Sequence, residues 1–111
     1  MQLGIFAKTF AGSNPEIVMS RIKGAGYKLA HYNMSCSGID PMPLKIDIET
    51  VDAVIKARLK NNISLCGLSA TYNMIHPDPF FRANGMKSLK CLIEIAVQIG
   101  AQIVTVCTGT R

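Results

Sequence analysis

With 111 residues the chain has room for one domain with its own core, and an apolar share of 49% against a charged share of 17% excludes a polar disordered tail. Twelve Lys and Arg against seven Asp and Glu leave a net charge of +5, but Lys23, Lys56, Lys60, Lys87 and Lys90 are spread over predicted helix faces. A nucleic-acid binder gathers such charge into a stripe or a known module, and neither is present.

The first predicted element is a strand from Gln2 to Phe6, whose unbroken apolar character suits burial on both faces. A helix comes next: Ser13 or Asn14 can cap it, Pro15 suits its first turn, and Glu16 favours its positive end. Val18, Ile22 and Ala25 recur at helical spacing, and Gly24 with Gly26 supplies the stop. A second strand, about Lys28 to Asn33, leads into a long connection from Met34 to Glu49. Thr50 can cap the next helix, where Val51, Val54, Ile55, Arg58 and Leu59 form one stripe and Asn61-Asn62 ends it. The third strand, Ile63 to Thr71, enters a loop from Tyr72 to Ala83. Ser88 or an earlier residue opens a third helix with Leu89, Leu92, Ile93, Ala96 and Val97 on one face and Gly100 as its stop. A fourth strand runs from Gln102 to Cys107.

The order β-α-β-α-β-α-β predicts an α/β fold with parallel strands and helical crossovers. Helix-to-strand links are short, whereas strand-to-helix links are longer and rich in Ser, Thr, Asn, His and Pro. Sites in such folds gather outside the carboxyl ends of the strands. The functional face is therefore expected to carry residues 7–13, 34–49, 72–83 and 108–111.

Cys36, Cys66, Cys91 and Cys107 are widely spaced with no Cys-x-x-Cys pair, which points to reduced thiols in a cytoplasmic protein. Met1 to Lys8 lacks the order of an export signal, and no run approaches the roughly 18 apolar residues of a membrane helix, so no membrane role is expected. Gly-x-Gly-x-x-Gly, Gly-x-x-x-x-Gly-Lys and Gly-x-Ser-x-Gly are all absent, which counts against dinucleotide oxidoreductases, nucleotide triphosphatases and serine hydrolases.

Thr71-Tyr72-Asn73-Met74-Ile75-His76-Pro77-Asp78, Arg82 with Gly85, Ala96 with Ile99-Gly100-Ala101, and Val104 to Arg111 resemble the sugar phosphate isomerases and epimerases of the xylose-isomerase-like barrel superfamily. The resemblance implies a (β/α)8 TIM barrel that moves a proton at carbons next to a carbonyl. It also implies a divalent metal, Mn, Mg, Co or Zn, held by Glu, Asp and His of later strands. Such a barrel needs about 250 residues, so residues 1–111 are expected to be one domain, the amino-terminal half truncated after the fourth strand. Neither metal ligands nor acid/base carboxylates can be carried over, and no catalytic residue is assigned.

Five substrate-binding candidates remain. The His76 imidazole can polarise a hydroxyl or relay a proton with Asp78 setting its tautomer, or His76-Pro77-Asp78 is turn chemistry, with Asp78 capping the next element. Asn73 offers a donor and an acceptor to a sugar hydroxyl, or takes a left-handed turn. Arg82 can grip a phosphate, or tie loop to loop. Thr108 and Arg111 can cradle an anion or sugar hydroxyl, although chain ends are the least ordered places. His31, mid-strand, reads as a packed histidine rather than a ligand.

The expected function is a fragment of a metal-dependent sugar or sugar phosphate isomerase or epimerase, binding no metal and inactive alone. The alternative is a non-catalytic half-barrel that forms a homo-oligomer or is completed by a partner chain through its open sheet edges. A divergent apurinic endonuclease-like barrel fits less well, because that branch ends strands three and four in His ligands where this chain has Thr71 and Cys107-Thr108.

Overall fold

The computed structural model of this chain describes residues 3–10, 12–71 and 77–106. Strands β1 (Gly4–Phe6), β2 (Leu29–Tyr32), β3 (Ser64–Ala70) and β4 (Val104–Val106) alternate with helices α1 (Pro15–Gly24), α2 (Ile48–Lys60) and α3 (Pro79–Ile99). All four strands are parallel and lie in the order β1-β2-β3-β4. This is the architecture of half a (β/α)8 barrel. Helix-to-strand links take three or four residues, whereas the strand-to-helix links take eight, fifteen and eight, the asymmetry expected from the sequence.

Each helix begins at a side-chain cap. Asn14, rather than Ser13, caps α1, its Oδ1 accepting from the Glu16 N–H at 2.9 Å with Pro15 as the first helical residue. Helix α2 is capped by Asp47, not Thr50, through the Glu49 N–H at 2.9 Å. The largest difference is at α3, which starts at Pro79 under an Asp78 cap on the Phe80 N–H. Asp78-Pro79 repeats the Asn14-Pro15 device, so the predicted 72–83 loop ends five residues earlier than expected of it. Gly100, at φ +82°, closes α3 in the left-handed conformation that glycine adopts without a Cβ penalty.

One face of the sheet meets the helices and forms the core. Ala30, Tyr32, Leu65, Leu68 and Ala70 from the strands pack with Val18, Met19 and Ile22 of α1, Val51, Val54 and Ala57 of α2, and Leu92, Ile95 and Ile99 of α3. The predicted stripes have the right period but the wrong phase in part: Leu59, Ile93 and Val97 are exposed. Strand β1 is not buried on both faces either, since Leu3 and Phe6 are exposed at the sheet edge. Buried Ser88 explains part of the α3 rotation, because its hydroxyl donates to the Pro43 carbonyl at 2.9 Å and fastens the long β2–α2 connection to the helix.

The other face carries Phe6, His31 and Gly67 on neighbouring strands in register. The Phe6 and His31 rings stack at 5.3 Å. A Cβ on Gly67 would lie 3.1 Å from both His31 Cε1 and Ile103 Cγ1, so glycine here makes room for the imidazole. The pairing slips by one residue between Ala30 and His31, and the Cys66 thiol donates to the Ala30 carbonyl at 3.3 Å beside this irregularity. Among the described residues, no helix is long and apolar enough to cross a membrane.

Candidate functional site at the carboxyl ends of the strands

The longest connection, 33–47, begins with a structured turn. Asn33 is buried, its Oδ1 accepts from the Ser35 N–H at 2.9 Å, and Met34–Ser37 form one 3-10 turn closed by Gly38 at φ +78°. Tyr32 and Ser37 share a hydroxyl hydrogen bond of 2.6 Å. Burial pushes the Tyr32 phenol above its ordinary range and the Ser37 bond opposes this only in part; burial likewise raises the Cys36 thiol. Both groups therefore stay protonated at neutral pH, and this end of β2 presents neutral donors and acceptors, not a nucleophile.

The Asn33 Nδ2 is buried and has no hydrogen-bond partner among the described residues. A buried amide donor without a partner is uncommon, and this one stands at a strand's carboxyl end. Sequence reasoning placed Asn33 at the end of β2 but assigned it no role; the polar residue directly after an apolar strand was the available signal.

Beside the end of β3, a cleft of about 320 Å³ opens between the 33–47 connection and the first half of α3. Asp40, Met42 and Leu44 form one wall, Phe81, Asn84 and Ser88 the other, with Thr71 at the strand end. The Asp40 carboxylate accepts from the Met42 N–H at 2.8 Å, and the Thr71 N–H donates to Met42 Sδ at 3.2 Å. Met42 thus holds the connection against the strand end. The volume suits a small ligand, and an apolar wall with a few polar groups is the usual lining of such a pocket.

Of the sequence candidates, Arg82 lies half-buried in the first turn of α3, its N–H on the Asp78 carbonyl at 3.1 Å, and it is not a wall residue of the cleft. Asn73, His76, Thr108 and Arg111 lie outside the described residues. Cys107 does too. The capping alternative for Asp78 is what its side chain does at the Phe80 N–H.

His31 sits on the inner face, its Nε2 3.0 Å from Thr105 Oγ1. Burial lowers its pKa below the ordinary 6.5, because a desolvated imidazolium loses hydration. The folded state therefore binds the proton less readily than the unfolded one. That contribution to stability is complete above the unfolded pKa of about 6.5 and declines as pH falls below it. The His31 Cε1–H resonance is expected to titrate with a midpoint below 6.5; a midpoint at or above that value would contradict the burial.

No protein-family model matches the sequence, and no curated protein matches it. Across 99% of its length the chain is similar in structure, with a TM-score of 0.75 and 17% sequence identity, to a chain from Rhodospirillum rubrum ATCC 11170 described as a putative xylose isomerase. This chain spans 40% of that one, and what the two share at this identity is the fold: part of an α/β barrel.

Proposed function

We propose that residues 1–111 supply the first four strands, the amino-terminal half, of a sugar or sugar phosphate isomerase or epimerase barrel. The observation that carries the reading is the fold match to the Rhodospirillum rubrum chain, over almost the whole of this one. Its polar strand-to-helix connections lie at the end of the sheet where such barrels bind ligands. In this reading the cleft between Asp40 and Asn84 receives part of a sugar, and Asn73, His76, Arg82, Thr108 and Arg111 meet its hydroxyls or phosphate.

The resemblance calls for a divalent metal, which would polarise the carbonyl next to the carbon that loses its proton. Among the described residues no three His, Cys, Asp or Glu side chains come together, so these residues do not form its site. The chain's own part is to bind and orient; the proton is moved by carboxylates of later strands.

The test is an NMR titration of the chain in D2O with D-xylose and with D-fructose 6-phosphate, in the presence of Mn²⁺ at low occupancy. We expect amide shifts at Thr71 and Asn84, and no deuterium entering the sugar. Catalytic deuterium uptake would overturn the binding-only role, and unmoved Thr71 and Asn84 amides would overturn the site.

A second reading rests on the surface. Phe80 at 73% and Val97 at 76% exposure, with β1 and β4 each paired on one side only among the described residues, favour assembly with a second copy or a partner that completes the barrel. Light scattering is expected to show mass rising with concentration; a monomer throughout argues against self-assembly.

A further inference from the structure

The opposite mouth of the sheet, where the strands begin, holds a second cavity of about 420 Å³. Leu29, Ser64 and Cys66 from the first residues of β2 and β3 line it, with Gln102 ahead of β4 and Arg58 and Gly100 from the ends of α2 and α3. It lies at the far end of the strands from Thr71 and the cleft, and nothing in the proposed sugar site draws on it.

Among the described residues, Arg58 is its only charged wall residue. The guanidinium rests against the α3 terminus, where a Cβ on Gly100 would meet Nη2 at 3.3 Å. Glycine at this position, needed for the left-handed cap, also leaves space for the fork. The Arg58 Nε is buried and makes no hydrogen bond to any described residue. Buried donors are nearly always paired, and a guanidinium offers five N–H groups and no acceptor. The neighbouring cation of α2, Lys60, is already engaged with Glu16 of α1. Arg58 has no role in that pair.

The carbonyl ends of α2 and α3 reach the same mouth and offset part of the positive charge. Binding here therefore depends on directed hydrogen bonds more than on net field. A guanidinium fork matches two oxygens of one carboxylate or phosphate group. Ser64 and Gln102 add a hydroxyl and an amide on the same walls, suited to a ligand whose body carries hydroxyls.

We propose that this cavity binds a small organic oxyanion, its carboxylate or phosphate group on the Arg58 fork and its polar body between Ser64 and Gln102. The occupant is a compact acid of a few carbons, bound at the strand-start mouth independently of any sugar at the other end.

The arginine Nε–H signals of the ¹⁵N-labelled chain test this, because a buried Nε–H exchanges slowly enough to be seen. Inorganic phosphate and acetate are titrated in turn, with chloride at the same ionic strength as control. One signal, assigned to Arg58 by its loss in Arg58→Lys, is expected to move and saturate with phosphate, acetate or both, and to stay put with chloride. Saturation by phosphate alone identifies a phosphate ester as the occupant, by acetate alone a carboxylate. Gln102→Leu, on an exposed wall residue, is expected to weaken binding by about threefold to tenfold with the backbone spectrum unchanged. An unmoved Arg58 signal overturns the proposal, as does a common drift of all arginine signals. Equal affinity in folded Arg58→Lys, read from the backbone amides of Ser64 and Gln102 on the same walls, also overturns it; should that variant not fold, equal affinity in Gln102→Leu does so.

Discussion

Leu92→Ala is expected to lower the unfolding free energy by about 2–5 kcal/mol, whereas Val97→Ala in the same helix changes it by no more than about 0.5 kcal/mol. Leu92 is fully buried under the sheet, and Val97 is 76% exposed. Removing the Leu92 side chain loses its transfer free energy and leaves a void between α3 and the strands. Removing two methyl groups from Val97 loses little packing and exchanges a β-branched residue for the best helix former. Against a total of about 5–15 kcal/mol for a domain, the first change threatens the fold and the second leaves it alone. Urea unfolding of both variants measures the difference. A large cost at Val97 would mean that this flank of α3 is covered in solution.

Gly38→Ala is expected to cost about 2–5 kcal/mol from two sources that add. The residue sits at φ +78°, where an L side chain pays about 1–2 kcal/mol. A new Cβ would also lie 2.8 Å from the backbone oxygen of Ser13, and forcing such a contact costs about 1–3 kcal/mol. Backbone cannot swing aside as the tip of a side chain can, so the α1 approach and the turn after β2 must separate. Gly26→Ala is the matched control: its φ is +91°, but nothing lies within 4 Å of the new Cβ, so only the conformational part remains. Thermal melts of the two variants separate strain from collision. Equal losses would show that the Ser13 contact relaxes freely.

The alternation of elements, the parallel sheet and the two classes of loop were all legible in the sequence, because strand and helix periods differ and Gly and Pro mark the boundaries. Phase was harder. Leu92, Ile93, Ala96 and Val97 satisfy helical spacing as a group, yet only Leu92 and Ala96 of these are buried. Which side of an apolar arc turns inward is set by the sheet and by Ser88, whose burial depends on a carbonyl 45 residues away in sequence. The start of α3 was written in Asp78-Pro79 as clearly as the start of α1 in Asn14-Pro15, but the His76-Pro77 turn signals beside it pointed to a longer loop.

The candidate site was legible only in outline. Sequence pattern identified the end of the sheet where polar connections collect, and it singled out Arg82, which the structure places in a helix turn outside the cleft wall. It gave no sign of the unpartnered donors on Asn33 and Arg58. Whether a donor finds a partner depends on side-chain geometry across several elements, and in the sequence Arg58 is one member of a helical stripe, its stem serving as apolar surface.

The spatial order of the strands repeats their order along the chain. Each ladder therefore closes on the unit synthesised just before it: β2 needs only β1, β3 only β2, and β4 only β3. A chain emerging from the ribosome can add one strand and its helix at a time, with no strand exposed for long while a distant partner is made. The same order makes the newest strand the growing edge at every stage.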